Sequence, residues 1–143
     1  MSIKTMAIAA SGLQAQRIRL QAISANMANI NTTRGPGGEP YQRLVPIFRP
    51  ETLENGFHAE LADQRQLYAV RVEKVAPADR EPLWVYNPDH PDADENGYVG
   101  MPNINVVEEM TDMLNAARSY EANMAALQTA KQMAKQAIDV GKG

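Results

Sequence analysis

Asp92-Ala93-Asp94-Glu95-Asn96-Gly97 is the segment whose residue types come nearest to a reactive centre. Oxygen ligands at alternate positions followed by a glycine match the opening of a calcium loop, where the glycine permits the sharp turn around the ion. The second half of the loop fails. Its twelfth position, which should be a bidentate glutamate, is Asn103, and Pro88, Pro91 and Pro102 stand where flanking helices belong. The competing reading is a solvated acidic turn that ends one strand and leads toward the C-terminal helix. His58 and His90 lie at no metal-ligand spacing from each other. Ser11-Gly12 and Ser24 lack a nucleophile elbow, and no glycine-rich phosphate loop follows a strand. Asn31-Thr32-Thr33 has the form of a glycosylation acceptor, a pattern that arises often by chance. No catalytic constellation, metal or cofactor is expected from these residues.

The elements that must carry the function are therefore sought in the chain as a whole. Its 143 residues amount to one modest core, with 44% apolar and 22% charged residues in an ordinary globular balance. A mean hydropathy of -0.41 leaves no run long enough to cross a bilayer. The absence of cysteine removes disulfides, thiolate catalysis and sulfur-based zinc sites. A net charge of -3 argues against nonspecific nucleic-acid binding, which needs a basic footprint. That total conceals a polarity. Residues 1–38 hold Lys4, Arg17, Arg19 and Arg34 and no acid, so they carry +4 and the remainder -7. A basic, acid-free start also describes an organellar transit peptide, but this one is poor in serine and continues a helical repeat without a processing-like break. A secretory signal fits worse, because the apolar residues are spaced rather than contiguous.

Apolar periodicity divides the chain into two long helical ends and a different middle. Met6, Leu13, Leu20 and Met27 recur every seven residues, flanked by Ile3, Ala10, Ile23 and Ile30. Ser2 is placed to cap the first turn, and Gly35-Pro36-Gly37-Gly38 forces termination, so a helix over 3–30 is expected. Val106, Met110, Met113, Ala117, Tyr120, Met124, Leu127, Ala134 and Ile138 follow alternating steps of four and three, broken by Lys131. Asn105 with Glu108 three residues on resembles a capping box, which predicts a helix over 106–140. The prolines fall between Pro36 and Pro102 and favour short strands there. Residues 67–75 alternate, with Tyr68, Val70 and Val72 on one face and Arg71 and Glu73 on the other. Leu83–Tyr86, Tyr41–Phe48 and, more weakly, Phe57–Leu61 are further strand candidates, with Pro46 restricting the second of these to an edge or a bulge. The expected fold is α+β, with a helical core domain from 1–35 and 103–143 and a small β-rich middle domain over 36–102.

Two seams have two readings. The helices pair within the chain and the methionines and leucines are core, or the seams are an assembly face. A two-helix pair shields one stripe of each helix, while Ala7, Ile8, Ile18, Ala116, Ala125, Ala126 and Ala137 are expected to leave small apolar surface outside it. Such stripes mark interaction faces, which favours assembly. Gly12, costly inside a helix, is tolerable if another backbone approaches it closely.

Ala10-Ser11-Gly12-Leu13-Gln14-Ala15-Gln16, continuing through Ile23 to Thr32, resembles the N-terminal signature of bacterial flagellar rod and hook axial proteins. His90 to Val99, Met101 to Val107, Glu109-Met110 and Arg118 to Asn123 resemble rod members of the same family. Met27 departs slightly from the family's more frequent isoleucine or leucine, and residues 39–87 carry little resemblance. The resemblance implies a structural subunit without enzymatic activity, exported by the flagellar type III apparatus without a cleaved signal. Its terminal helices would form a helical tube that transmits torque to the hook, in the rod of the basal body. The implied partners are copies of itself, other rod proteins, and the export gate or basal ring beneath. Met6, Leu13, Leu20, Ile23, Met27, Val106, Met110, Met113, Tyr120, Met124 and Leu127 are the expected assembly residues. Asn26, Asn29, Asn31 and Thr32 serve either as a helix stop or as hydrogen-bonding groups between subunits. The alternatives are a free-standing coiled-coil adaptor and a small calcium-binding domain.

Overall fold

A computed structural model describes residues 2–53 and 67–141. The first helix, α1, runs over Ser2–Ala28 and so takes in Ser2, which the sequence placed as its cap. It stops two residues short of the expected end, where the Asn29 carboxamide joins the last helical amide on the Ala25 carbonyl and the chain tightens into a turn closed by Thr32. The amide and the carboxamide of Asn29 donate to that carbonyl at 3.1 and 2.9 Å, and its own carbonyl accepts from Thr32 N at 3.0 Å. The last helix, α2, covers Val106–Val140, 35 residues and about 52 Å at 1.5 Å per residue. Asn105 caps it, Oδ1 accepting from the Val107 and Glu108 amides at 2.9 and 3.4 Å. Only this half of the capping box forms. The Glu108 carboxylate turns outward to Arg80, at 2.8 and 3.0 Å, since a bidentate guanidinium is a stronger partner than a backbone amide.

The two helices pair antiparallel. Asn26 bonds to Glu109, Arg19 to Asp112, and Gly12 lies against Asn123, so ascending α1 means descending α2. The buried line is made of small and polar residues: Ala9, Ala15, Ala22, Ile23 and Asn26 from α1, and Glu109, Ala116 and Ala130 from α2. Ala116, expected on the outer surface, is 0% exposed. The correction has a simple cause. Glu109, Ala116, Asn123 and Ala130 repeat every seven residues, but two of them are polar, so an apolar count puts the stripe one position away. At Gly12 the close neighbour is a side chain rather than a backbone, for a Cβ there would sit 2.9 Å from the Asn123 carboxamide.

Between the helices lie two separate two-stranded antiparallel sheets. The first joins β1, Leu44–Thr52, to β2, Tyr68–Pro77, with Leu44 opposite Pro77 and Thr52 opposite Tyr68. The pairing shifts register between Ile47 and Phe48, the irregularity that Pro46 anticipates. Relative to the expected strand over 41–48, β1 starts later, because Tyr41 and Arg43 are drawn toward the helices. In β2 the apolar face is only partly covered, with Val72 half-buried; Arg71 and Glu73 are exposed as expected, and the one fully buried residue, Ala69, lies on the polar face. Tyr68 and Val70 are exposed while Ala69 is buried, and the strand docks on α1 through backbone, Val70 N donating to Ser11 Oγ at 3.1 Å. The second sheet joins β3, Leu83–Tyr86, to β4, Tyr98–Met101. The strand over 83–86 matches its expectation. β4 is an addition, hidden by reading 92–97 as the approach to a helix when it is the turn of a hairpin. The candidate over Phe57–Leu61 lies outside the described residues.

Gly12→Leu should lower stability by about 1–3 kcal/mol, because the added atoms must displace the Asn123 side chain from the helix contact. A urea midpoint equal to wild type would contradict this packing.

Candidate assembly interface

The first two turns of α2 carry Glu108, Glu109 and Asp112, near the positive end of its dipole. Each meets an arginine from a different segment. Arg80, from the link between β2 and β3, takes Glu108. Arg43, just before β1, bonds Glu109 through Nε and reaches Asp112 at 3.1 Å and Glu108 at 3.6 Å. Arg19, on α1, bonds Asp112 at 3.1 Å. Glu109 is fully buried and Arg43 nearly so, an arrangement that desolvation would forbid without complete pairing. The completing partner is Asn26, whose Nδ2 donates to Glu109 Oε2 at 3.0 Å. Burial, and secondly the negative charge of Glu109, raise the Tyr41 phenol above its ordinary value. The Arg80 hydrogen bond holds the Glu108 carboxyl below the usual glutamate value of 4.5, with the charges of Arg43 and Arg80 adding to it against partial burial. A cleft of about 230 Å³ opens beside this cluster, walled by Ile23, Val45, Pro46 and Phe48. Each of these carboxylates holds a guanidinium, so the cluster joins segments.

The other chemical candidates resolve into local structure. Asp94 Oδ1 accepts from the Asn96 and Tyr98 amides at 2.9 and 2.8 Å, closing the β3–β4 hairpin, and Gly97 takes φ +81° there. Asp92 accepts from Thr33 Oγ1 at 2.8 Å and pairs with Arg34 at 3.2 Å, which ties the turn to the segment after α1. His90 Nδ1 accepts from Asp92 N, and His58 lies outside the described residues. No group of three metal-ligating side chains occurs among the described residues. Ser11 Oγ donates to the Ile8 carbonyl while accepting from β2.

The expected assembly residues occupy three environments. Ile23 is buried; Met6, Leu13, Leu20, Met27, Met113, Tyr120, Met124 and Leu127 are half-buried along the shoulders of the helix pair; Val106 and Met110 are exposed. Further large apolar groups stand in solvent, with Val107 at 71% and Leu114 at 61% exposure on α2 and Trp84 at 64% on β3. Asn29 and Thr32 act as a helix stop, bonding to each other at 3.1 Å. Asn26 does neither expected job, since it joins three elements within the chain. Sequence reading missed Arg19, Arg43, Glu109 and Asp112. The one signal available was the three acids inside two turns of a helix that had already been given a cap.

Both ends of the chain match known families. Residues 6–36 match the family described as flagella basal body rod protein, and residues 95–140 match the C-terminal region of flagellar basal body rod FlgEFG proteins, which places the fold in the class of rod proteins. Similarity extends through the middle. The flagellar basal-body rod protein FlgC of Borreliella burgdorferi is 40% identical over 95% of each chain, and that of Aquifex aeolicus is 41% identical over 94% of this chain and 93% of its own. The Bacillus subtilis protein of the same name is 35% identical over 94% of this chain and 95% of its own. The chain belongs to the family of flagellar basal-body rod protein FlgC. Among the described residues no helix is long and apolar enough to cross a membrane.

Two measurements follow from these geometries. Because its folded value is depressed, Glu108 contributes stability that is complete above its unfolded value of 4.5 and is lost as pH falls through the folded one. The stability difference between wild type and Glu108→Gln should therefore shrink on going from neutral pH to below that value, by a small amount because the pair is solvent-exposed. A difference independent of pH would refute the pairing. Calcium added to the protein in a calorimeter should give no saturable heat, and Asp94→Ala should cost about 1–2 kcal/mol through its two lost backbone bonds. Saturable calcium binding that Asp94→Ala removes would reinstate the calcium loop.

Proposed function

We propose that this protein is a structural subunit of the proximal flagellar rod, polymerising through its terminal helices into a helical tube that carries torque from motor to hook and walls part of the export channel. It performs no catalysis. Its partners are copies of itself, neighbouring rod proteins, and export gate or basal ring components at the rod base, and it reaches them by the flagellar export route without a cleaved signal. Family membership along nearly the whole chain supports the reading. One structural observation carries it further. Apart from Ile23, the two helices use small and polar residues for each other and leave their large apolar ones half-buried or exposed. Fully burying such a side chain is worth about 1.5–3 kcal/mol, so a row of them on each helix is a reserve of association energy that the single chain leaves unspent. The contacts it implies are heterologous and non-closing, which generates a filament.

Leu20→Asp and Met124→Asp test the reading, because each places a carboxylate on the shoulder expected to meet a neighbour. Each should abolish rod incorporation and motility while leaving the isolated chain folded by circular dichroism. Normal rods from either variant would overturn the proposal, and a discrete dimer of the wild type at micromolar concentration would favour the coiled-coil adaptor.

A further inference from the structure

The Asn26 carboxamide is 1% exposed and uses all of its hydrogen-bonding capacity. Oδ1 accepts from Leu44 N at 2.7 Å and from the Tyr41 hydroxyl at 3.1 Å, while Nδ2 donates to the Leu44 carbonyl and to Glu109 Oε2, both at 3.0 Å. The two bonds to Leu44 copy what a neighbouring strand would offer the first residue of β1: one acceptor and one donor, side by side. Aspartate lacks the donor, and glutamine is one methylene too long. Glu109 in turn is fixed by Arg43, which precedes that same strand residue.

We propose that Asn26 is a rigid joint: by standing in for a strand residue it locks the start of β1 to the helix pair, so that the β1–β2 ribbon and the first turns of α2 form and break together and no hinge separates them. A hinge would need freely rotating backbone between Tyr41 and Leu44, and this stretch instead bonds to the node through the Tyr41 side chain, the Arg43 side chain and the Leu44 backbone. The joint belongs to the single chain and is independent of the rod reading.

Amide hydrogen exchange on the full unassembled chain tests it, with wild type, Asn26→Asp, Tyr41→Phe and an exposed control, Glu95→Gln. Asn26→Asp should speed exchange by at least about tenfold over 41–48 and over 106–113 together, while 83–86 and 98–101 stay within about twofold of wild type. Tyr41→Phe, which removes one of the four bonds and keeps the ring, should loosen the same two segments to a smaller extent. It decides the matter should Asn26→Asp fail to fold. Loosening confined to one segment, no loosening in either, or a wild type unprotected in both would overturn the joint.

Discussion

A helix that begins with three carboxylates in two turns cannot be buried against anything until those charges are matched. Glu109 is fully buried, and removing one partner of such a pair costs about 3–5 kcal/mol. That demand organises the rest of the chain. It calls Arg43 to the start of β1, Arg80 to the link before β3 and Arg19 to the middle of α1, and it fixes the register of the antiparallel helices through Asn26. The start of β1 sits on the helix pair where Arg43 and Asn26 hold its backbone. An apolar contact of the same area would stabilise several helix registers almost equally, whereas this alternating set of charges is satisfied in one.

The polar node also explains how the helices divide their surfaces. Alanines and Gly12 line the intrachain contact and let the helices come close, which leaves methionine, leucine and valine on the shoulders and outer faces. Small residues give little transfer free energy, so the pair depends on the node for specificity and on the rest of the fold for much of its stability. The larger apolar side chains of the two helices are thus left mostly on the shoulders and outer faces, half-buried or exposed. The basic, acid-free first 38 residues fit the same logic, since two of their arginines, Arg19 and Arg34, are spent on the acids that crowd the second half of the chain.

Both long helices were legible in the sequence, because a seven-residue repeat and an asparagine cap are local signals. So were β2 and β3, from alternation and from a short aromatic run. The inner stripe of α2 was not. Periodicity arguments count apolar residues, and the buried Glu109 and half-buried Asn123 are polar residues on the inner stripe whose acceptability depends on Arg43 and Gly12, far away in the chain. β4 escaped because Asp94 and Gly97 form both halves of a tight hairpin turn, and a turn reads the same whether a strand or a helix comes next. The assembly residues were chosen by the same apolar count. That count picked residues that are mostly half-buried, with Ile23 buried and Val106 and Met110 exposed, and it missed the node, since tertiary charge pairing leaves no periodic trace.

A buried ionic node is an unusual choice where apolar packing would do, and stability alone does not account for it. Replacing such a cluster by well-packed apolar residues is often neutral or stabilising. What the node supplies is directionality: four hydrogen bonds converge on one carboxamide, and each has a preferred length and angle. Hydrophobic contacts slide at little cost, and a filament that bears twisting load would convert sliding inside each subunit into lost rotation. In a rod protein the orientation of the β unit on the helices is therefore a mechanical property as well as a structural one. Placing directional bonds at the joint between the helices and the β unit gives the subunit an internal stiffness that apolar packing alone would not supply.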